Sequence, residues 1–223
     1  MNVMVTLPRR LASEFLGTAL LLMGVVGSGI MGTNLSPDDG VALLANMAAT
    51  GAILSVLIIV FGPVSGAHFN PAVTFVFLLR EDIGLGIAAA YIGAQLVGAI
   101  LGVVSAHFMF EIELLQSSKK LRSGPSQWYS EFIATFGLVF VILGCVKFRE
   151  SAVPFAVGLY ISAAYWFTSS TSFANPAVTI ARSLSDTFSG ILPNHVPAFI
   201  AAQFAGAVIA AFLFNWISKS GKS

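Results

Sequence analysis

Charged side chains are scarce in this sequence. Its 223 residues include 11 Lys and Arg against 10 Asp and Glu, so 9% of the chain is charged and the net formal charge is +1. Soluble domains carry about 25% charged residues, and so few charges could not cover the surface of a soluble fold. Since the chain is also 57% hydrophobic, the composition predicts an integral membrane protein. It excludes a disordered chain and gives no reason to expect a nucleic-acid partner.

Cysteine and histidine are also rare. Cys145 is the single cysteine, so an intrachain disulfide cannot form. The three histidines, His68, His107 and His195, are far apart, and none is accompanied by a cysteine or by a pair of carboxylates. We therefore expect no metal site and no enzymatic activity.

Long apolar runs are what the sequence does contain. A membrane-spanning helix needs about 20 apolar residues. Proline interrupts a helix interior, and all nine prolines lie outside the apolar runs or within a few residues of an end. We therefore predict an all-α membrane protein with six transmembrane helices. The six predicted spans are Leu11–Met31, Val41–Gly62, Gly84–Ala106, Trp128–Val146, Ala152–Thr168 and Val196–Ile217.

Two further apolar segments are too short to span a bilayer. Asn70–Leu79 and Asn175–Leu184 have ten residues each, which as helix is about 15 Å. The hydrocarbon core is roughly 30 Å thick. Because a half-length helix at membrane depth must be buried in protein or line a wet cavity, we predict two re-entrant half-helices.

Three short motifs occur twice in the same order. Ser-Glu-Phe at 13–15 recurs at 130–132, Asn-Pro-Ala-Val-Thr at 70–74 recurs at 175–179, and Ala-Gln at 94–95 recurs at 202–203. Each copy accompanies three full spans, an odd number, so the second copy enters the membrane from the opposite side. We predict one transmembrane domain over 1–223 with inverted repeats of about 9–107 and 126–217. Such repeats place the functional site at the midplane.

Each Asn-Pro-Ala motif has the features of a helix start. Asn is a favoured N-cap, and Pro is favoured as the first helical residue. Inversion brings the two helix N-termini together, each with roughly half a positive charge, and we expect the asparagine NH₂ groups to face the space between them. This site would donate hydrogen bonds to neutral solutes and repel cations. Its residues are Asn70, Pro71, Ala72, Asn175, Pro176 and Ala177.

The segments before both motifs must run extended through half of the membrane. Their carbonyl groups need partners there, so we expect them to line the water path. Glu14 and Glu131, at matched positions of the two repeats, are expected to accept N–H groups from these loops rather than to relay protons. The expected pore-lining carbonyls belong to Gly66, Ala67, His68, Thr171 and Phe173.

The motifs at 65–74 and 175–177, with the paired Glu-Phe starts and Ala-Gln helices, resemble those of the major intrinsic proteins, the aquaporin and aquaglyceroporin channels. The resemblance covers nearly the whole chain. It implies a six-helix inverted-repeat fold and a homotetramer with one pore in each subunit. It also implies passive diffusion across the cell membrane without a cofactor.

The outer constriction departs from the family pattern. The family usually has Arg directly after the second Asn-Pro-Ala, where this chain has Val178. Arg182 lies one helical turn further on, and we expect it near the end of the half-helix and not in the constriction. The other filter positions carry over to Thr50, Ser172 and either Tyr165 or Ala163.

Tyr165 is preferred to Ala163, because the spacing of Pro154 and Gly158 matches the family. The resulting filter is uncharged and is expected to be wide. Its resemblance to the aquaglyceroporin branch implies passage of water and small neutral solutes, such as glycerol-like polyols and metalloid hydroxides like arsenous acid. An ion channel or a secondary transporter with broken helices is the alternative, but the mid-membrane ionisable residues that these need are scarce.

The distribution of basic residues predicts the orientation. With the N-terminus inside, seven Lys and Arg lie on the cytoplasmic side and four on the other. This favours a multi-pass protein with both termini in the cytoplasm. The four include Lys119, Lys120 and Arg122, which are expected in a solvated loop.

Overall fold

Eight α-helices form the part of the chain that the computed structural model describes, residues 5–219. Short 3₁₀ helices precede the sixth and the eighth of them. The order long, long, short, long occurs twice, and the predicted all-α architecture is confirmed. Lys222, which the orientation count includes, lies outside the described residues. The helices are α1 Leu7–Leu35, α2 Asp39–Ser65, α3 Pro71–Leu79, α4 Leu85–Met109, α5 Pro125–Phe148, α6 Val153–Phe167, α7 Pro176–Arg182 and α8 Val196–Ile217.

Local sequence explains where several helices begin and end. The Asp38 carboxylate accepts hydrogen bonds from the backbone N–H groups of Gly40 at 2.7 Å and Val41 at 3.2 Å, and so caps α2. Proline in the first turn starts α3, α5 and α7, where its missing donor costs nothing. Gly66 ends α2 with φ at 89°, a left-handed conformation that favours glycine. The chain turns there into the first re-entrant loop.

Glycines allow two pairs of helices to cross with their backbones in contact. A Cβ on Gly98 of α4 would lie 2.3 Å from the Phe15 carbonyl oxygen of α1. A Cβ on Gly206 of α8 would lie 2.3 Å from the Phe132 carbonyl oxygen of α5. Small residues at such crossings are typical of helices that pack inside a bilayer. The α1–α4 and α5–α8 crossings are therefore equivalent in the two halves.

Three helices are shorter than the sequence predicted. α6 has 15 residues where 17 were expected, and α3 and α7 have nine and seven where ten were expected. The Thr168 hydroxyl donates to the Ala164 carbonyl at 2.6 Å where α6 ends, and the Ser183 hydroxyl donates to the Ile180 carbonyl at 2.7 Å where α7 ends. Such side-chain bonds compete with continued helix.

The outer surface of the helices is apolar. Phe108 is 74% exposed, Leu159 71% and Phe212 68%. α1, α2, α4, α5 and α8 are each long and apolar enough to cross a membrane. Apolar area of this extent needs hydrocarbon around it, as expected of a multi-pass membrane protein.

Candidate functional site

The two half-helices begin at the asparagines that the sequence indicated. The side-chain oxygen of Asn70 accepts a hydrogen bond from the Ala72 N–H at 2.9 Å. The side-chain oxygen of Asn175 accepts from Ala177 at 3.0 Å and from Val178 at 3.3 Å. Both asparagines are buried and line the same cavity. The positive ends of α3 and α7 therefore converge on one space.

Each asparagine also bonds to the loop of the other half. The Asn70 NH₂ group donates to the Ala174 carbonyl at 2.7 Å, and the Asn175 NH₂ group donates to the Phe69 carbonyl at 2.8 Å. Our expectation of entirely free NH₂ groups needs correction, because one N–H of each is engaged in this reciprocal link. An NH₂ group has two hydrogens, so the second N–H of each asparagine, which no residue of 5–219 accepts, remains for a solute.

Two strained residues hold this link in place. Phe69 and Ala174 have φ values of 48° and 49°, a left-handed conformation that costs a non-glycine residue roughly 1–2 kcal/mol. Their backbone N–H groups donate to Glu14 and Glu131, at 2.8 and 2.9 Å. Strain of this kind persists where the surroundings over-determine it. The two carboxylates therefore hold the residues whose carbonyls the asparagines bind.

We expect Asn70→Asp to destabilise the protein although it preserves the cap. An aspartate oxygen would replace the NH₂ group that lies 2.7 Å from the Ala174 carbonyl, so a buried hydrogen bond becomes a contact between two acceptors. The expected loss is about 2 kcal/mol or more, a fall of about 4–8 °C in Tm. Thermal unfolding in detergent measures it. Asn194→Asp, at an exposed position, is the control, and equal Tm changes would contradict the role of this link.

Glu14 is fully buried and surrounded by donors from the first loop. Its carboxylate accepts from the His68 N–H at 3.0 Å, the Phe69 N–H at 2.8 Å, the Ser65 hydroxyl at 2.7 Å and the Gln95 side chain at 2.8 Å. Hydrogen bonds to a charged acceptor are the strong ones. The charge of Glu14 is thus distributed over four donors, and the first loop is attached to α1.

Glu131 holds the second loop in the same way. Its carboxylate accepts from the backbone N–H groups of Phe173 and Ala174, both at 2.9 Å, and from the Gln203 side chain at 2.6 Å. Glu131 is also fully buried. The second loop is thereby attached to α5, as the first is to α1.

Two glutamines and two threonines, which are not among the predicted site residues, extend both networks. Gln95 donates to the Thr74 hydroxyl at 2.9 Å, and Gln203 donates to the Thr179 hydroxyl at 2.8 Å. The sequence repeat could indicate this role, because all four residues lie inside the repeated motifs. Each glutamine connects the glutamate of a long helix to the half-helix of the same repeat.

A cavity of about 100 Å³ runs past both half-helix starts. The lining residues of α1, α2, α5 and α6 are aliphatic except for Thr50 and Tyr165, and the rest of the lining comes from the two loops and from α3 and α7. Gly66, Ala67, His68 and Phe173, whose carbonyl groups we predicted to line the pore, are among the residues that line it. Thr171 is outside this lining, and its hydroxyl lies 3.5 Å from an Nη atom of Arg122.

The four filter positions carried over from the family all line this cavity: Thr50, Tyr165, Ser172 and Val178. The hydroxyl oxygens of Thr50 and Tyr165 are 3.1 Å apart. Ala163, the alternative to Tyr165, is exposed on the outside of α6. Ser172 lines the cavity, and its hydroxyl is buried without a hydrogen-bond partner among the described residues.

Arg182 lies where we did not expect a charge. It lies near the end of the half-helix, as expected, and is the last residue of α7, but it is 2% exposed and lines the cavity. Its Nε atom donates to the Ser189 carbonyl, and its guanidinium carbon lies 3.4 Å from the centre of the Phe173 ring. The four filter residues are uncharged, but the cavity that they line also contains the charge of Arg182. A cation–π contact and a backbone carbonyl hold Arg182 in place.

Arg122 lies behind Arg182 and is buried rather than solvated. Its Nε donates to the Gly190 carbonyl at 2.8 Å and an Nη donates to the Ser170 carbonyl at 3.1 Å. Burial lowers the pKa of Arg122 from 12.5 to about 10, so the group stays charged at neutral pH. Lys120 also turns inward and donates to the Phe188 carbonyl at 2.9 Å. The predicted solvated loop instead packs against the loop after α7, and Lys119 alone of the three is fully exposed.

Comparison with known proteins identifies the family. The family model described as major intrinsic protein matches residues 2–153 and 144–222. The chain belongs to the major intrinsic protein family. This major intrinsic protein is 56% identical over 216 residues to the aquaglyceroporin AqpS of Rhizobium meliloti, covering 97% of this chain and 93% of that one. It is 28% identical over 221 residues to nodulin-26 of Glycine max, covering 96% of this chain and 79% of that one.

The fold of this major intrinsic protein is shared with a solved structure. The X-ray structure of the aquaglyceroporin from Plasmodium falciparum matches with a TM-score of 0.79 and 23% identity, covering 96% of this chain and 98% of that one. At that identity the match shows the fold. Together with the family, it makes the protein a multi-pass membrane channel and not an enzyme.

Proposed function

We propose that this protein is a passive channel for water and small neutral solutes. The observation that carries the proposal is the convergence of Asn70 and Asn175 on one cavity, with a free N–H on each asparagine. A solute that enters the cavity loses hydrogen bonds to water. The aliphatic side chains cannot replace these bonds, whereas the two loops and the two asparagine amides can. A neutral hydroxylated molecule can therefore form hydrogen bonds at each position along one side.

Glycerol-like polyols are the solutes that this chain fits best, and metalloid hydroxides such as arsenous acid are further candidates. The name of the Rhizobium meliloti relative, an aquaglyceroporin, supports polyols. Val178 in place of a family arginine leaves more room beside the Thr50–Tyr165 pair. Cations would be excluded by the paired positive ends of α3 and α7.

Flux in proteoliposomes tests this function directly. Vesicles containing the protein are mixed with hyperosmotic water, glycerol, urea or arsenous acid solutions, and light scattering records shrinkage and reswelling. Faster water flux than in protein-free vesicles, followed by faster reswelling in glycerol, is the expected result. Rates equal to those of empty vesicles for every solute would contradict the proposal.

We expect Val178→Arg to reduce glycerol flux more than water flux. A long cationic side chain would narrow the cavity beside Tyr165 and Ser172, and a polyol needs more width than water. We expect glycerol flux to fall about tenfold, equivalent to about 1.4 kcal/mol of barrier. Val178→Met adds length without charge and is the matched control. Equal loss of both fluxes, or unchanged fluxes, would contradict a filter set by position 178.

The topology is also proposed. We place both termini in the cytoplasm and treat 9–107 and 126–217 as inverted repeats, supported by the basic-residue count and by the equivalent glutamate networks of the two halves. We further propose a homotetramer surrounded by lipid, as the family implies. The mass of the detergent-solubilised protein, measured by light scattering, tests the oligomeric state.

A further inference from the structure

The cavity carries a fixed positive charge one helical turn away from the position where the family has it. Val178 is uncharged, but Arg182, four residues later in α7, reaches the same cavity. Its Nε donates to the Ser189 carbonyl, whereas neither of its Nη atoms makes a hydrogen bond within residues 5–219. A side chain that is 2% exposed thus directs unpaired N–H groups at the cavity it lines.

The guanidinium of Arg182 is held in a rigid setting. The Ser189 hydroxyl donates to the Val25 carbonyl of α1 at 3.1 Å, and a Cβ on Gly29 would lie 2.5 Å from that hydroxyl. Phe173, under the guanidinium, has its N–H bound by Glu131 at 2.9 Å. Because the contacts on both sides of Arg182 are themselves anchored, the charge is preorganised rather than mobile.

Arg122 adds a second charge at the same ring. Its guanidinium carbon lies 5.1 Å from the centre of the Phe173 ring, whose other guanidinium contact, to Arg182, is at 3.4 Å. Arg122 donates hydrogen bonds to backbone carbonyls and is not among the residues that line the cavity. It therefore positions the loops around Phe173 and strengthens the positive potential without contacting a solute.

We propose that Arg182, positioned by Phe173, Ser189 and Arg122, contributes to the selectivity of the channel: it adds to the barrier of the two half-helix N-termini the positive charge and the N–H donors that Val178 does not supply. The inference rests on the proposed channel function. Two positions of α7 then have different roles: position 178 sets the width of the cavity, and position 182 supplies its positive charge. A cation in the cavity would meet this charge in a setting of low dielectric, where like-charge repulsion is strong.

The proposal is tested by measuring the proton flux through the channel and relating it to the water flux of the same vesicles. Proteoliposomes with a pH-sensitive dye inside and potassium clamped by valinomycin receive a pH step, and water flux is measured on the same vesicles. For Arg182→Gln we expect the proton flux per unit water flux to rise about tenfold, which removes about 1.4 kcal/mol of barrier. Arg182→Lys keeps the charge and should stay within about twofold of wild type. Arg149→Gln, at an exposed position, should leave both fluxes unchanged.

A variant that moves the positive charge from position 182 to position 178 is the decisive part of this experiment. The double variant Val178→Arg with Arg182→Gln moves the charge by one turn, and we expect it to restore the low proton leak. Val178→Arg alone should not reduce the leak further, since a barrier is already present. Where Arg182→Gln does not reconstitute, Arg182→Met, which keeps the apolar stem, replaces it.

The outcomes separate this inference from the proposed function. A proton leak in the neutral variants equal to that of wild type, with water flux retained, would overturn the role of Arg182 and leave the channel function standing. A marked fall in leak in Val178→Arg alone would likewise overturn it. An absence of water and solute flux in the wild type would refute the proposed function itself.

Discussion

Glu131→Ala is expected to yield little or no folded protein. Three donors would lose their acceptor in the protein interior: the backbone N–H groups of Phe173 and Ala174 and the side chain of Gln203. Each buried unsatisfied donor costs about 1–3 kcal/mol, so the loss is about 3–9 kcal/mol against a total stability of about 5–15 kcal/mol. The fraction of solubilised protein that elutes as one monodisperse peak, and its Tm, measure the effect.

Glu131→Gln is the matched control for this substitution. It keeps one carbonyl oxygen as an acceptor but turns an NH₂ group toward donors, so we expect an intermediate loss. Glu14→Ala should behave like Glu131→Ala, because Glu14 satisfies equivalent donors in the first loop. Normal expression and Tm in Glu131→Ala would show that the loop folds without its carboxylate and would refute the bracing role.

Gly98→Ala has the second large expected effect. The added Cβ would lie 2.3 Å from the carbonyl oxygen of Phe15 and 3.1 Å from its carbonyl carbon. Both are backbone atoms of α1, so no rotamer change can relieve the clash and the α1–α4 pair must separate. Overpacking typically costs about 1–3 kcal/mol, and separation of Gln95 from Glu14 would add to this. We expect Tm to fall by about 4–10 °C.

A single methyl group elsewhere in α4 is the appropriate comparison. Gly93 has nothing within 4 Å of its Cβ position, so Gly93→Ala should hold its Tm or gain slightly, because alanine favours helix over glycine. Gly206→Ala in the other half should repeat the loss through Phe132. Equal Tm values for Gly98→Ala and Gly93→Ala would mean that the crossing is not close enough to require glycine.

The helices and half-helices could be predicted from the sequence because their causes are local. Apolar length sets the spans, and Asn followed by Pro sets the starts of α3 and α7. The ends were harder, since α7 stops at Arg182 instead of Leu184. That stop depends on the side-chain bond of Ser183, which apolar length does not indicate.

The two buried arginines could not be placed from the sequence. Their positions depend on contacts between distant loops, such as the Leu192 N–H to the Lys120 carbonyl at 2.8 Å and the Gln116 N–H to the Leu184 carbonyl at 3.1 Å. Neither loop belongs to the repeated motifs, and a basic residue in a loop is most often solvated. Spacing within α7 placed Arg182 one turn from Val178, but not the direction of its guanidinium.

The reciprocal link between the asparagines and the opposite carbonyls also has a consequence for biogenesis. The Phe69 carbonyl receives its hydrogen bond from a residue 106 positions later in the chain. At a synthesis rate of about 5–20 residues per second, that donor emerges roughly 5–20 s afterwards. Glu14 and Gln95 can hold the first loop early, but the Phe69 carbonyl has no hydrogen bond from Asn175 until the second half inserts. The nascent first half is therefore an incomplete channel, and closure of this link marks the completion of the pore.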